Sequence, residues 1–338
     1  MGSERYRIEI HPLTGYLRDR NPGWHTLHRA DPDATPFHHP DWIAAWWTVF
    51  APSFEDAVVL SAHSGHDPVA VLPLALSRGA DGELTACCAG NRLTDYCGWV
   101  ADPRADHAGL LREMLTALAG SGVSAAHLWD VPAHSAMGRA LHAAGPDARV
   151  TAEGGDVCPV VTFPRRWEDY WAARGRNLRG LVRKARRLES AAGPAATVLT
   201  SDPGPGRLKS FIDLHLAWWR SRGRDSLLEY PTAQDLLTAL AERFRGTGNL
   251  LLSEQRCAGD VTAMFLLAED GKARYYYQSA LNPEFAHLHP GIVHMHDVAR
   301  LTYDSGFSRF DLLRGEERYK VQFANQMSRN MNVVISLS

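Results

Sequence analysis

The closing third of the chain carries the clearest alternation of hydrophobic and polar positions. Residues 274–279 form an aromatic-rich run typical of a strand, and a turn-rich loop follows it to His289. From Pro290 the apolar residues recur about every 3.6 positions, which predicts a helix that stops at residues 305–306. A second strand is predicted at 307–313. This strand–helix–strand unit can bind a ligand, because the free N–H groups and the positive dipole end of the helix face whatever lies beyond the first strand.

The same order of patterns occurs twice along the chain. Residues 58–76 and 250–268 both show a strand, a polar turn and a strand, and residues 110–131 and 293–314 both show a helix, a Ser-Gly stop and a strand. Two copies of one unit are the simplest explanation, and a chance likeness of two such units is the alternative. The pattern predicts an α/β (α+β) fold with two domains that join near residues 152–155.

Length and composition agree with two domains and narrow the possible partners. The chain has 338 residues, more than most single cores contain. Its 36 basic and 38 acidic residues nearly cancel, so no overall field attracts nucleic acid or an anionic membrane, and no DNA partner is expected. The sequence shows no signal peptide and no apolar run of about 20 residues, which predicts a cytoplasmic protein without a membrane span. The five cysteines lack metal-type spacing and are interpreted as reduced and structural.

Two predicted helices in the second half carry candidate binding residues. The helix at 167–190 places four arginines on one ridge, namely Arg176, Arg179, Arg183 and Arg187. This ridge is either a solvated basic face or an anion site for the phosphates of a nucleotide, CoA or an RNA end. The helix at 208–222 ends in two adjacent tryptophans that point 100° apart. One of them is predicted in the core, and Trp218 is a candidate for lining a cleft.

Several short motifs in a fixed order resemble a known family. They are N-L-R-G-L-V-R-K-A-R-R-L-E (177–189), L-H-L-A-W-W-R-S-R-G (214–223), H-P-G-I (289–292), G-F-S-R-F-D-L-L-R-G-E-E-R-Y-K (306–320) and, in the first half, P-F-H-H-P-D-W (36–42), V-L-P-L (71–74) and T-D-Y (94–96). Their order resembles the CelD-like (BioF2-like) branch of the GNAT acyltransferase superfamily, which is related to Fem-type transferases that use aminoacyl-tRNA. The resemblance covers nearly the whole chain. It implies two tandem GNAT-like domains, each a mixed twisted sheet flanked by helices: a cleft-forming, non-catalytic domain at 1–155 and a catalytic one at 156–338.

One loop departs from the pattern of the superfamily. GNAT enzymes that use acetyl-CoA usually carry a Gln/Arg-x-x-Gly-x-Gly/Ala loop whose amides hold the pyrophosphate. The matching residues 286–291 contain only one glycine, Gly291, and Pro290 removes a donor. The helix end can still bind an anion, so Gly291 is a candidate for binding the donor phosphate, but ordinary CoA binding is in doubt. In the first domain, residues 102–107 offer no glycine loop at all, which predicts an inactive copy.

The resemblance implies acyl transfer, and the residues after the last strand fit that chemistry. Such a reaction needs a base, a charge stabiliser for the oxyanion and an acid for the leaving group. We expect Asp311 or Glu316 to be the base or an amine-binding carboxylate, Arg314 and Lys320 to stabilise charge, and Tyr319 to donate a proton. The alternative is that these residues form ion pairs which merely cap the strand.

Further substrate-binding candidates come from the aromatic strand and from the first half. Strand alternation places Tyr276 and Gln278 on one face, and in a GNAT-like site this strand lines the acyl channel. The T-D-Y motif adds Asp95 and Tyr96. The histidines between 287 and 296 do not have the i, i+4 spacing of a helical zinc pair, so no metal is expected.

The resemblance implies an acyltransferase that moves an acyl or aminoacyl group to an amine or hydroxyl of a small molecule, in a biosynthetic pathway. No tightly bound cofactor is expected, and either acyl-CoA or aminoacyl-tRNA is the co-substrate, which makes tRNA a candidate partner. A non-catalytic tandem-GNAT binding or scaffold module is the alternative, because a fold alone does not guarantee chemistry.

Overall fold

The computed structural model describes residues 6–19, 22–91, 93–145 and 149–337. The chain divides into two compact units, one formed by residues 1–156 with 328–338 and the other by residues 157–327. Each contains a mixed sheet with helices packed on it, so the predicted fold class is confirmed. In the part of the chain that is described, no helix combines the length and the apolar character that crossing a membrane requires.

The first unit is built around a predominantly antiparallel sheet. Its elements are β1 (Arg7–Pro12), α1 (Leu13–Arg18), α2 (Pro22–Ala30), α3 (Pro40–Phe50), β2 (Asp56–Ser64), β3 (Asp67–Arg78), β4 (Leu84–Cys88), β5 (Val100–Ala101), α4 (His107–Gly120), β6 (Val123–Pro132), α5 (Ala136–Ala144) and the start of β7 (Val150–Thr162). The sheet order is β1-β2-β3-β4-β6, and only the β4–β6 pair is parallel. Apolar residues of α4 and α5, among them Leu110, Met114 and Leu141, form its core with the sheet.

The units differ from the predicted domains, 1–155 and 156–338, at the end of the chain. The last strand, β13 (Gln326–Ser336), pairs antiparallel with β6, with Ser336 opposite Ala125 and Asn330 opposite Pro132. Residues 328–338 therefore belong to the first unit. Local patterning identifies a strand but not its partner, which is why the sequence placed this segment in the second domain.

The second unit holds the segments that carry most of the predicted site. Its elements are α6 (Trp167–Ala172), α7 (Arg176–Ala192), β8 (Ala195–Ser201), α8 (Pro205–Ser221), α9 (Pro231–Arg243), β9 (Leu250–Cys257), β10 (Asp260–Glu269), β11 (Arg274–Leu281), α10 (Pro290–Asp304), β12 (Arg309–Asp311) and α11 (Arg318–Phe323). Residues 157–162 of β7 pair with β12, and the order continues β12-β11-β10-β9-β8. Of these pairs only β11–β12 is parallel.

Helices cover both faces of this second sheet. Side chains of α6, α7 and α10, including Trp167, Val182 and Met295, form one core cluster with Phe265 and Tyr276 of the sheet. Helix α8 packs against β11 from the opposite face. The single helix predicted at 167–190 is in fact two, because the chain leaves the helical conformation before α7 begins.

Candidate active site

The strands β11 and β12 pair over only two residues and then separate. Arg274 lies opposite Phe310 and Tyr275 opposite Asp311, whereas β11 continues to Leu281. After Asp311 the chain bonds to β7 instead, since the Leu312 N–H donates to the carbonyl oxygen of Pro159 at 3.0 Å. From residue 276 onward, the edge of β11 that faces away from β10 has no described strand beside it. The two parallel strands thus open a wedge.

Two tyrosine hydroxyls meet beside this wedge. The hydroxyl of Tyr319 on α11 lies 3.3 Å from that of Tyr276 on β11, and the rings are nearly perpendicular. The Ser279 side chain also hydrogen-bonds Tyr276. Burial raises the pKa of Tyr276 to about 12 and that of Tyr319 well above its usual value of 10. Both phenols therefore stay protonated at neutral pH and can donate a hydrogen bond or a proton.

The ammonium group of Lys320 lies next to the tyrosine pair. Lys320 is 6% exposed, and its Nζ is 5.9 Å from the centre of the Tyr276 ring. It donates to the carbonyl oxygen of Arg314 and forms an ion pair with Glu317 at 3.3 Å. The structure thus brings Tyr276, Tyr319 and Lys320 together, and it adds Glu317, to which the sequence analysis assigned no role.

The two predicted base candidates, Asp311 and Glu316, differ in their surroundings. Asp311 is buried, and its carboxylate accepts the N–H of Leu313 at 2.9 Å. It lies opposite Tyr275 and raises the pKa of that phenol further, although burial is the largest cause. Because successive strand residues face opposite ways, Asp311 and Tyr275 share the face that Tyr276 does not occupy. Glu316 is exposed. Their role as base stays a prediction.

A β-bulge changes the direction of Gln278. Across β10 and β11, Leu267 is opposite Tyr276 and Leu266 is opposite Gln278, so Tyr277 is an extra residue. Cross-strand partners share a face, and the adjacent Leu266 and Leu267 face opposite ways. Gln278 therefore points away from the face of Tyr276. The expected alternation was wrong here, because a bulge has no signature in the pattern of apolar residues.

His215 is a buried residue at the wedge that sequence reasoning missed. Its Nδ1 lies 2.6 Å from the carbonyl oxygen of Ser279, and its Nε2 lies 2.7 Å from the hydroxyl of Ser226. A carbonyl can only accept, so Nδ1 carries the proton and Nε2 accepts from Ser226. Burial lowers the pKa of His215, which keeps the ring neutral. The Asn282 N–H bonds to the carbonyl oxygen of Thr262 on the β10 side, so by alternation the Ser279 carbonyl points toward the wedge.

The two neighbouring tryptophans, Trp218 and Trp219, contact different residues. The ring of Trp219 stacks on His215 at 5.8 Å, whereas Trp218 lies 4.2 Å from the guanidinium carbon of Arg222. Trp219 is therefore the tryptophan that packs on the wedge residue His215. The motif L-H-L-A-W-W contained the signal, since it places His215 one turn before Trp219.

The start of α10 offers little for a pyrophosphate. His289 precedes the helix with φ of 55° and no side-chain cap, and Pro290 has no N–H. A Cβ on Gly291 would lie 3.1 Å from a methyl carbon of Leu281. The glycine thus permits close packing of helix on strand, which is a structural reason for its presence there.

The arginine ridge remains free on α7. Arg176, Arg183 and Arg187 are exposed and Arg179 is half-buried, and none forms an ion pair or side-chain hydrogen bond with a residue in the described part of the chain. Helix α7 packs beside the turn at 283–288 that leads into α10. The ridge suits either an anion or solvent, as the sequence predicted.

The remaining candidates are a half-buried aspartate, a buried tyrosine and a buried histidine. Tyr96 of the first unit is 3% exposed and contacts the Phe37 ring, and the carbonyl oxygen of Asp95 accepts the side-chain amide of Asn330 at 3.1 Å. His294 on α10 is fully buried beside Gln255, 3.2 Å from the carbonyl oxygen of Ser253. These contacts satisfy buried polar groups.

Comparison with known proteins finds a family that resembles the segment carrying this site. Residues 175–321 match the family model described as an acetyltransferase (GNAT) domain, and this match contains the tyrosine pair, Lys320 and His215. No curated protein matches the chain. The segment of the second unit that carries the site is thus similar to GNAT acetyltransferase domains.

Solved structures give the nearer relatives by fold. FemX shares 11% identity with a TM-score of 0.67, covering 93% of this chain and 95% of that one. L-PGS from Bacillus licheniformis shares 9% with a TM-score of 0.55, covering 87% and 91%. A tandem GNAT protein from the clavulanic acid biosynthesis pathway shares 13% with a TM-score of 0.52, covering 98% and 99%. Fem-type proteins are thus among the structural relatives, and the tandem GNAT architecture is confirmed. The narrower CelD-like branch stays a prediction.

Proposed function

We propose that the chain transfers an activated acyl or aminoacyl group to an amine or hydroxyl of a small molecule at Tyr276, Tyr319 and Lys320. The observation that carries this proposal is the pair of protonated phenols beside a buried ammonium group, at the point where two parallel strands separate. Hydrogen-bond donors and a positive charge in a site shielded from water stabilise an oxyanion strongly. The acceptor, in this proposal, is a metabolite of a biosynthetic pathway in the cytoplasm.

The reaction has a simple assignment of groups. The acceptor nitrogen or oxygen forms a bond to the acyl carbon and gives up a proton to a carboxylate, for which Glu316 and Asp311 are the candidates. The carbonyl oxygen becomes an oxyanion that Lys320 stabilises. The bond to the thiol of CoA or to the ribose of tRNA then breaks, and Tyr319 protonates the departing atom. Arg314, whose carbonyl oxygen accepts from Lys320, holds that ammonium in place.

Aminoacyl-tRNA is the donor that the structure favours. The start of α10 presents a proline and a glycine packed against Leu281 where a pyrophosphate would need free amides. The exposed arginines of α7 supply a basic surface beside the same turn. Acyl-CoA is the second candidate donor, and the match to an acetyltransferase domain family supports it.

Donor consumption in the presence of a panel of amines and amino acids tests the proposal. Release of CoA thiol is followed in one arm and loss of charge from aminoacyl-tRNA in the other. We expect acceptor-dependent consumption of one donor that Tyr319→Phe slows by about 10²- to 10⁴-fold. Ribonuclease should stop only the tRNA reaction. Equal consumption by the parent and by a Tyr319→Phe/Lys320→Met variant would contradict the proposal.

A non-catalytic binding module is the second candidate function. The observation in its favour is that the Lys320 ammonium already has two internal partners, the Arg314 carbonyl and Glu317. Saturable binding of a donor with no turnover of any acceptor in the same panel would support this module.

A further inference from the structure

A cavity lies in the second unit, away from the tyrosine pair. It measures about 410 Å³ and lies between α8, the end of β9, the start of β10 and the turn after β11. This volume falls within the range of about 300–1,000 Å³ that is usual for small-molecule sites. Ser253 and Phe265 are cross-strand partners on the face that holds Tyr276, so their neighbours Glu254 and Met264, which line the cavity, face the other way. The cavity therefore opens on the opposite face of the sheet.

A buried carboxylate with two arginines forms one wall. Glu254 is 3% exposed, and Arg256 donates to it from Nε at 3.0 Å and from Nη2 at 2.6 Å. Arg207 approaches the other carboxylate oxygen at 3.3 Å and also donates to Thr200 at 2.7 Å. Two guanidinium groups thus share one carboxylate, and both are about half exposed. One positive charge at this wall has no described counter-ion, which favours a ligand anion such as a carboxylate.

The rim carries the opposite charge and the rest of the lining is apolar. Asp260 and Glu284 are exposed, line the cavity, and have no ion-pair or side-chain hydrogen-bond partner among the described residues. Leu214, Met264 and Phe285 supply apolar surface between the two charged regions. A simple anion would meet repulsion from the rim, and a simple cation would meet repulsion from the arginines. A ligand with both charges and an apolar group satisfies all three surfaces.

We propose that this cavity binds a small zwitterion, an α-amino acid with an apolar side chain. Arg207 and Arg256 hold its carboxylate, Asp260 and Glu284 hold its ammonium group, and Met264 and Phe285 contact its side chain. The site is separate from the acyl-transfer centre, and its occupancy does not depend on the proposed donor or acceptor.

Titration calorimetry of the full chain with a matched set of ligands tests this site without any acyl donor. L-Leucine is the probe. N-acetyl-L-leucine lacks the ammonium charge, L-leucinamide lacks the carboxylate, and glycine lacks the side chain. We expect L-leucine to bind with saturation at millimolar concentrations or below and each analogue to bind about tenfold more weakly or worse. No saturable binding of L-leucine, or equal binding of the two singly charged analogues, would overturn the proposal.

Variants on the exposed rim locate the ligand without threatening the fold. Asp260→Asn/Glu284→Gln should weaken L-leucine by about tenfold or more while leaving or strengthening N-acetyl-L-leucine, because only the ammonium contact is lost. Lys209→Gln is the control, since Lys209 lies on the same helix but pairs with Asp213 and does not line the cavity. A double variant that binds L-leucine as tightly as the parent would place the ligand elsewhere and refute the site.

Discussion

Removing the hydroxyl of Tyr319 separates catalysis from stability. The Tyr319→Phe change keeps the ring and deletes one hydrogen bond, the 3.3 Å contact to Tyr276, which retains its bond from Ser279. The loss of one such bond costs about 1 kcal/mol of the free energy of unfolding. If Tyr319 protonates the leaving group, kcat should fall by about 10²- to 10⁴-fold. At the midpoint this loss equals about 4 kcal/mol, several times the effect on stability.

Two measurements distinguish the outcomes. Urea unfolding gives the change in stability, and single-turnover kinetics with the active donor gives the change in the chemical step. Tyr303→Phe is the matched control, because its hydroxyl donates to the carbonyl oxygen of Arg165 at 2.9 Å outside the site. We expect the control to keep its rate while losing similar stability. A Tyr319→Phe rate within a few-fold of the parent would refute the assignment.

The pH profile adds an independent check. Since the pKa of Tyr319 is raised well above 10, the acid stays protonated throughout the neutral and mildly alkaline range. The rate should therefore show no alkaline decline from loss of this proton below about pH 10. A decline near neutral pH that disappears in Tyr319→Phe would mean that the phenol is far more acidic than its burial requires.

Three further changes test other parts of the site. Lys320→Met should lower kcat/KM by about 10²- to 10³-fold, because it removes a group that stabilises the oxyanion. Glu317→Gln should keep kcat/KM within a few-fold of the parent value. Steady-state kinetics of both variants measures these changes. His215→Ala should lower the free energy of unfolding by about 1–3 kcal/mol, because it leaves the Ser279 carbonyl and the Ser226 hydroxyl unpaired. His215→Asn should lower it less, because the asparagine amide can still donate a hydrogen bond. Urea unfolding of both variants measures the difference. Burial lowers the pKa of His294 to about 3, so as the pH falls the unfolded chain binds a proton at this residue before the folded chain does. The free energy of unfolding should therefore decrease below about pH 6.5, by about 2 kcal/mol at pH 5. Urea unfolding at the two pH values should show this loss shrinking in His294→Gln, and an unchanged pH dependence would contradict it.

The positions of helices and strands could be predicted from the sequence far better than the pairing of the strands. Apolar periodicity located the hairpin of β9 and β10, the helix from Pro290 and the strand at 274–279, because each depends on local burial. It could not reveal the extra residue at Tyr277, since a bulge shifts register without changing composition. Nor could it reveal that residues 328–338 join the first unit, because pairing of a strand is decided by its neighbours in space.

In the candidate site too, some residues could be predicted from the local sequence and others only from contacts in the folded chain. Tyr319 and Lys320 were identified from their position after the last strand, and the structure places them beside Tyr276. His215 was missed because a histidine among the apolar residues of a helix is most simply a core residue. Only the partners of its two nitrogens, Ser279 and Ser226, distinguish it, and the contact with Ser279 joins residues that are 64 positions apart in the sequence.

Asp311 explains why β11 and β12 separate, whether or not it also acts as the base in acyl transfer. Its carboxylate accepts the N–H of Leu313, which adopts φ of 57°, a left-handed conformation that costs a non-glycine residue about 1–2 kcal/mol. That turn ends β12 and directs the chain to β7, where the Gly315 N–H donates to the carbonyl oxygen of Val157 at 3.0 Å. The chain must then return through α11, which delivers Tyr319 and Lys320 to the open edge of β11. The buried carboxylate of Asp311 therefore determines where the phenol of Tyr319 lies. Replacing Asp311 should displace Tyr319 even though the two side chains are not in direct contact.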